Sequence, residues 1–165
     1  MARQTENAAT FRKLVTSPVK FRLFMLARLP MAYLAGLRIT SLSQESATVS
    51  IQYKYLNKNP FNSIYFACLS MAAELSTGVL CMMHIHKSTP PVSMLIVNMK
   101  ADFTKKALGK IIFTCNDGEQ LYKAIEETKV TGEGVTVTAT STGTDESGDT
   151  VAVFHYTWSL KAKRK

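Results

Sequence analysis

The most informative stretch of this 165-residue chain covers residues 59–78 and reads NPFNSIYFACLSMAAELSTG. Asn59, Pro60 and Asn62 are residues typical of turns, so the stretch begins as a loop. From 63 to 84 the sequence is nearly uncharged and rich in Ala, Met, Leu and Ser. A long helix that is apolar on almost every side is typical of the buried centre of a soluble domain.

Glu74 interrupts this apolar helix and is the only Asp, Glu, Lys or Arg within residues 60–85. Burial among apolar atoms raises the pKa of a carboxyl group towards the range in which it acts as a general base. The same carboxylate could instead accept hydrogen bonds from buried backbone or pair across a dimer seam. At about 100° per residue its helical face carries mostly small residues, namely Ala67, Ser70, Met71, Gly78 and Cys81. Such a face leaves room for another chain or a ligand to approach closely.

The segments on either side of the helix alternate in the manner of β-strands. In 48–55, Val49, Ile51, Tyr53 and Tyr55 alternate with polar residues. Strands are also predicted over 92–103, 108–115, 134–141 and 150–160, and a short exposed helix over 120–128. The predicted order is therefore two strands, a long helix and four strands in antiparallel succession. One helix against one antiparallel sheet is an α+β architecture.

The net charge is +8 at pH 7 and is unevenly distributed. Residues 1–50 carry seven Lys or Arg against two acids, whereas residues 117–150 carry eight of the twelve acids against two Lys. Helical spacing in 8–36 is broken at Pro18 and Pro30, with basic residues beside the apolar face. Such a helix either lies on a membrane surface or docks on the domain's own core. No nucleic-acid motif accompanies the charge, so neither a nucleic-acid partner nor stable membrane insertion is predicted.

The cysteines and histidines favour neither disulfides nor a metal site. Cys68, Cys81 and Cys115 lie among apolar residues without CxxC spacing. An odd number in such surroundings predicts reduced, buried thiols and a cytoplasmic protein. His84 and His86 would point about 160° apart on a helix, and no third ligand accompanies them. No metal is therefore predicted.

The stretch 59–78 resembles the central motif of hot-dog-fold thioesterases, and the whole sequence is similar to a single-domain, acyl-CoA thioesterase-like branch. That motif runs Asn, Gly three residues later, His-Gly-Gly three after that, and Asp or Glu nine beyond the His. Aligned without gaps, Asn59 takes the Asn position, Asn62 the first Gly and Glu74 the carboxylate. The resemblance implies a hot-dog domain over 37–161, an antiparallel sheet wrapped around a long central helix. Residues 1–36 are then an added helical extension and 162–165 a basic tail.

The sequence departs from the motif where Tyr65 replaces the His and where Phe66 and Ala67 replace the two glycines. In the family, a backbone N–H at this helix start polarises the thioester carbonyl. That role needs an amide and the helix dipole rather than a particular side chain, although bulkier residues narrow or block the pocket. Tyr65 either donates its hydroxyl to the carbonyl or is a core aromatic residue.

Three further residues receive roles from the resemblance. Asn59 would help to hold the attacking water or the carboxylate, and it is also a turn residue ahead of Pro60. Lys105 and Lys106 fall where hot-dog enzymes often bind the phosphates of coenzyme A. Two adjacent lysines in a connection are also commonly just solvated.

The resemblance implies hydrolysis of an acyl-CoA thioester by a homodimer or a dimer of dimers, with each pocket at the seam between paired sheets. Glu74 would activate water or attack the carbonyl, and the N–H groups of Phe66 and Ala67 would stabilise the oxyanion. The coenzyme A thioester is then the substrate, and no cofactor is expected. The loss of the His and glycines keeps a non-catalytic acyl- or acyl-CoA-binding dimer open. A hot-dog dehydratase is disfavoured because no His precedes the central helix.

Overall fold

The chain opens with three short helices that pack against one another and against the central helix. The computed structural model describes residues 2–163, with side chains from Asn7 onwards. The helices are α1 (Ala2–Val15), α2 (Pro18–Arg28) and α3 (Pro30–Ala35). A proline opens α2 and α3, where the first turn of a helix has no use for the missing N–H. This part of the chain is therefore helical in pieces, as predicted.

Six strands form one antiparallel sheet. They are β1 (Arg38–Leu42), β2 (Ala47–Gln52), β3 (Val92–Phe103), β4 (Lys110–Cys115), β5 (Gly134–Thr144) and β6 (Thr150–Ala162). Their spatial order is β1-β2-β4-β5-β6-β3. The expected succession of the last four strands is wrong at β3, which pairs with β6 at the edge of the sheet and not with β4. The connection after β3 passes the start of the central helix, where the Ala107 carbonyl accepts the Ile64 N–H at 2.9 Å.

The central helix α4 (Phe66–Ile85) lies across the inner face of the sheet and contacts β2, β4, β5 and β6. It is long and apolar enough to cross a membrane, but 67% of its apolar window is buried inside the domain, as in the core helix of a globular protein. The inward residues of β6 are all buried against this layer, namely Ala152, Phe154, Tyr156, Trp158 and Leu160. The predicted α+β architecture, with a long helix on an antiparallel sheet and extra N-terminal helices, is confirmed.

Two local predictions are wrong. The helix predicted as short and exposed is α5 (Gly118–Thr131), whose Leu121 and Ile125 are fully buried beside α4. These residues are four apart and share one helical face, so α5 is amphipathic. β2 ends at Gln52, and Tyr55 lies beyond it in a single 3₁₀ turn with 79% of its surface exposed. The side chain of Asn57 ends the strand by donating to the Gln52 carbonyl at 2.8 Å.

Candidate active site

Glu74 lies in the third turn of α4, on the flank of the helix that faces β6. Its neighbours Ala73 and Leu75 are buried, while Glu74 itself is half-buried. A Cβ added to Gly78, one turn further on, would lie 3.0 Å from Oε1 of Glu74 and 3.4 Å from the ring of Trp158. The glycine therefore leaves the space that the carboxyl group and the indole share.

Trp158 and Tyr156 form the wall of β6 beside Glu74, and both are fixed by hydrogen bonds to α4. The indole N–H of Trp158 donates to Oγ1 of Thr77 at 3.1 Å. The Tyr156 hydroxyl lies 2.8 Å from Oγ of Ser70 and donates to the Ser70 carbonyl at 2.9 Å. Burial raises the pKa of Tyr156 to about 12, so this phenol is neutral at physiological pH. The wall therefore brings no charge to Glu74.

Burial raises the pKa of the Glu74 carboxyl group from 4.5 to about 7. Among the side chains of residues 7–163 the carboxylate accepts no hydrogen bond and forms no ion pair. Desolvation is thus uncompensated, which destabilises the charged form. At neutral pH the group is divided between its two forms, which suits a residue that must both take and return a proton.

Glu74 also borders a cavity of about 280 Å³ between α4 and the N-terminal helices. The wall opposite the carboxyl group comes from the junction of α2 and α3, where Leu29 and Met31 are exposed. Met71 and Leu75 of α4 continue the apolar lining. Arg28 lies at the rim without an ion pair to Glu74. A carboxyl group at the wall of a mostly apolar cavity is the arrangement that an acyl group and a reacting water require.

The other predicted site residues meet at the N-terminal end of α4 and not at Glu74. They line a separate cavity of about 310 Å³, which includes Asn59, Tyr65, Phe66, Lys105 and Lys106. Tyr65 precedes the first helical turn, and its ring contacts Phe66 edge-on at 4.9 Å between centroids. The rings are 46% and 53% exposed, so Tyr65 is not a core residue here. The N–H groups of Phe66 and Ala67, which are predicted to bind the oxyanion, therefore lie at a helix start that carries two exposed aromatic rings.

The backbone N–H groups of Phe66 and Ala67 are in the first turn of α4 and have no acceptor within the described residues. Helix starts leave such donors free, and the helix dipole makes them attractive to negative charge. Glu74 is eight residues further along, about 12 Å on the helix axis at 1.5 Å per residue. One chain alone therefore does not bring these donors and the carboxyl group together.

Asn59 and Lys105 are both engaged in structural contacts. Oδ1 of Asn59 accepts the Phe61 N–H at 2.9 Å and the Ser63 N–H at 3.3 Å, which closes the turn before α4. The Lys105 ammonium group donates to Asp145 at 2.6 Å and to Asp149 at 2.7 Å. These carboxylates tie Lys105 to the β5–β6 hairpin. Lys106 is exposed and enters none of the ion pairs within residues 2–163.

Sequence reasoning missed Trp158, Tyr156 and the α2–α3 wall as parts of the Glu74 environment. The alternation in β6 marked the two aromatic residues as inward-facing, but it could not show which helical turn they meet. His84 and His86 do not converge: His84 is buried beside Tyr122, and His86 packs on the ring of Phe11 at 5.2 Å. No group of three His, Cys, Asp or Glu side chains in the described part of the chain is placed to hold a metal ion.

The fold and the sequence both have known relatives. Residues 18–160 match the family described as Domain of unknown function (DUF4442), and this chain belongs to that family. No curated protein matches the chain in sequence. PA5026 from Pseudomonas aeruginosa, named a probable thioesterase, has a TM-score of 0.73 at 20% identity, covering 91% of this chain and 99% of its own.

Two further structures extend the comparison. The thioesterase HI1161 from Haemophilus influenzae has a TM-score of 0.62 at 10% identity, over 85% of this chain and 88% of its own. The E. coli PaaI protein, from a phenylacetic acid degradation operon, has a TM-score of 0.62 at 14% identity, over 92% and 96%. These likenesses confirm that the chain has the hot-dog fold of thioesterase-like proteins.

Proposed function

We propose that this DUF4442 protein hydrolyses an acyl thioester, with Glu74 as the catalytic carboxylate. The observation that carries the proposal is the Glu74 carboxyl group itself. It is half-buried at the wall of an apolar cavity, it has no partner among the described residues, and its pKa is raised to about 7. A structural carboxylate is normally hydrogen-bonded or paired, because leaving one desolvated without a partner destabilises the fold.

The reaction needs a base, an oxyanion site and an acid. Glu74 in its ionised form takes a proton from a water molecule, and the hydroxide forms a C–O bond to the thioester carbonyl carbon. Negative charge then develops on the carbonyl oxygen, where backbone N–H donors stabilise it. When the C–S bond breaks, the proton held by Glu74 passes to the departing thiolate. Direct attack by the carboxylate, followed by hydrolysis of the anhydride, uses the same residues.

The oxyanion donors are assigned to the Phe66 and Ala67 N–H groups of a second copy of the chain. Within one chain, about 12 Å of helix separates them from Glu74. A homodimer joined along the open β3 edge would place the start of one α4 beside the middle of the other. The partner relation is isologous, so each dimer would hold two identical sites. Coenzyme A is the proposed carrier, with the Lys106 side chain near its phosphates.

The lining of the Glu74 cavity favours an apolar acyl group. Leu29, Met31, Met71 and Leu75 offer carbon surface opposite the carboxyl group. Its volume of about 280 Å³ is at the small end of the range for ligand pockets. We therefore expect a short or medium acyl chain to be preferred over a long one.

A non-catalytic acyl-binding dimer is the second candidate. Tyr65 and Phe66 favour this function. They are 46% and 53% exposed at the helix start, where the motif of hot-dog-fold thioesterases has His and Gly. If these rings close the approach to the N–H donors, the apolar cavity would hold an acyl group without cleaving it.

Glu74→Gln tests the catalytic role of Glu74, and turnover by the wild type separates the hydrolase from the binding protein. The substitution keeps the size of the side chain and removes its charge. If Glu74 is the base or nucleophile, single-turnover cleavage of acyl-CoA should fall by roughly two to four orders of magnitude. Glu133→Gln, at an exposed carboxylate outside the cavity, is the matched control and should cleave like the wild type.

Melting temperatures on the same preparations show that each variant is folded. A folded Glu74→Gln variant with wild-type cleavage would remove Glu74 from the mechanism. Saturable acyl-CoA binding by a wild type that never turns over would instead establish the binding protein.

A further inference from the structure

The largest cavity among those described is a cleft of about 520 Å³ between the N-terminal helices and the β1 side of the sheet. Four of its lining residues are cations, namely Arg22, Arg38, Lys54 and Lys110, and none is a carboxylate. Tyr33, Ser50 and Gln52 add hydroxyl and amide groups. The cleft shares Leu37 with the Glu74 cavity and no lining residue with the cavity at the start of α4.

The strand register places two of these cations on the same face of the sheet. Arg38 of β1 lies opposite Ser50 of β2, and Lys110 of β4 lies opposite Gln52 of β2. Residues two apart on a strand share a face. This is the outer face, because Val49 and Ile51, which alternate with Ser50, are buried under α4. The backbones of Arg38 and Lys110 are two strands apart, about 10 Å across the sheet, so both long side chains can reach one ligand.

The other two cations lie beside neutral groups. The Arg22 guanidinium lies 5.2 Å from the centre of the Tyr33 ring and donates to its hydroxyl at 3.4 Å. The Lys54 ammonium lies over Gly36, in the space that a side chain at this position would occupy. Gly36 has a φ of 83°, which side chains rarely adopt, so its backbone conformation favours glycine.

None of the four cations takes part in an ion pair among the side chains of residues 7–163. Elsewhere in the same part of the chain, Lys100, Lys105, Lys123 and Lys129 all do. Like charges gathered in a cleft repel one another, and the low-dielectric walls concentrate their potential. An anion that enters the cleft relieves this repulsion and gains charge-assisted hydrogen bonds.

We propose that this cleft is a ligand site for a small polyanion that carries a diphosphate group. Guanidinium forks and lysine ammonium groups are the side chains that best match phosphate oxygens. The backbones of Arg38 and Lys110 alone lie about 10 Å apart, so one phosphate cannot contact all four cations, whereas two linked phosphates can bridge them. The volume of the cleft leaves space for an attached organic group. The proposal does not depend on thioester hydrolysis, because no residue of the Glu74 mechanism lines the cleft.

Isothermal titration of the full chain with pyrophosphate at low ionic strength tests the site. Saturable binding of one pyrophosphate per chain is expected. The double change Arg38→Gln and Lys110→Gln should weaken it by at least about ten-fold, the usual scale for losing charged donors to an anion. Lys161→Gln removes an exposed cation outside the cleft, and it should change the affinity by less than about two-fold.

Melting temperatures verify that both variants are folded, and Lys54→Gln provides an independent second variant with the same expected direction. ADP and coenzyme A then distinguish a free nucleotide from the nucleotide end of coenzyme A, and tighter binding of either supports the site where the Arg38→Gln and Lys110→Gln double change weakens it. Absence of saturable pyrophosphate binding at millimolar concentration would overturn the proposal. Equal weakening by Lys161→Gln would overturn it too, as would binding of a short DNA duplex but not of pyrophosphate.

Discussion

The two edges of the sheet differ in length, covering and chemistry. β1 has five residues and its exposed positions are polar, and the pairing of each edge strand is irregular at one place, between Ile39 and Ser41 in β1 and between Ile96 and Asn98 in β3. β3 has twelve residues and exposes apolar side chains on both faces, with Leu95 66%, Val97 53% and Met99 45% exposed. Short and polar edges resist pairing with another chain, whereas long apolar edges favour it. The contrast identifies β3 as the edge at which a second copy is expected.

The two edges of the sheet also carry side chains of different chemistry. On the β3 side, Met99 is paired with Tyr156 and Phe103 with Ala152, so both share the face of the sheet that carries the Glu74 wall. Phe103 also meets Phe66 at 6.4 Å between ring centroids. On the β1 side, the outer face carries cations and hydroxyl groups. The apolar surface near the desolvated Glu74 carboxyl group suits an active site shared by two chains. The exposed cations suit the binding of an anion.

Charging the β3 edge should disrupt both the dimer and the active site. Val97→Lys with Met99→Lys would place like charges against each other in an isologous interface, and their desolvation should weaken dimerisation by at least about 100-fold. Thioester cleavage should fall in parallel. Ser41→Lys at the β1 edge is the matched control and should leave both unchanged. Sedimentation equilibrium and cleavage assays on the same samples measure the two quantities. A wild type that is monomeric at micromolar concentration would contradict the shared site.

Mixing two inactive variants tests whether the active site is shared between two chains that pair along β3. Phe66→Pro removes one N–H donor at the first helical position, and the preceding Tyr65 already has the extended backbone that a residue before proline needs (φ −63°, ψ 133°). This variant should lose roughly 10²–10³ in turnover. Phe66→Ala keeps the N–H and is the control for the lost ring.

If donor and carboxylate come from different chains, a heterodimer of Phe66→Pro with Glu74→Gln retains one intact site. Random exchange makes half of the dimers heterodimers, so the mixture should recover about one quarter of wild-type turnover. Activity that stays at the level of the separate variants after subunit exchange would place both groups in one chain.

Regular patterns in the sequence are sufficient to predict the architecture, but they do not predict the spatial neighbours of Glu74. The alternation from Ala152 to Leu160 and the apolar run around Glu74 each require one buried face, so they predict β6 and α4 directly. Pairing partners depend on contacts far apart in sequence, which is why the order along the chain wrongly places β3 beside β4. The contact of Lys105 with Asp145 joins residues 40 positions apart, and the cationic cleft brings Lys110 beside residues from the first third of the chain. No local pattern marks such contacts.

Because the pKa of Glu74 is raised in the folded chain, the free energy of unfolding should depend on pH. Between pH 4.5 and 7 the unfolded chain releases this proton while the folded chain retains it, so rising pH favours unfolding. The loss in the free energy of unfolding is complete above pH 7. It amounts to about 3 kcal/mol for a pKa raised from 4.5 to about 7.

Glu74→Gln lacks this penalty, so its melting temperature should exceed that of the wild type by several degrees at pH 8 and by little at pH 4.5. The difference between the two proteins isolates Glu74 from His84, whose pKa is lowered by burial. An equal difference at both pH values would show that Glu74 does not carry the shifted pKa.

The smallest expected effect separates the two lysines that follow β3. Lys105 is held by Asp145 and Asp149, so its charge is already neutralised, whereas Lys106 borders the same cavity without an ion pair in the described part of the chain. If the phosphates of coenzyme A approach here, Lys106→Ala should raise KM about three- to ten-fold with little change in kcat, because it removes binding shared by substrate and transition state. Lys105→Ala should change KM less, because the Lys105 ammonium already donates to Asp145 and Asp149 and is not free to contact a phosphate. The KM effect of Lys106→Ala should shrink as salt is added. Equal effects of the two substitutions, or none from Lys106→Ala, would remove this end of the β3 edge from the binding of coenzyme A.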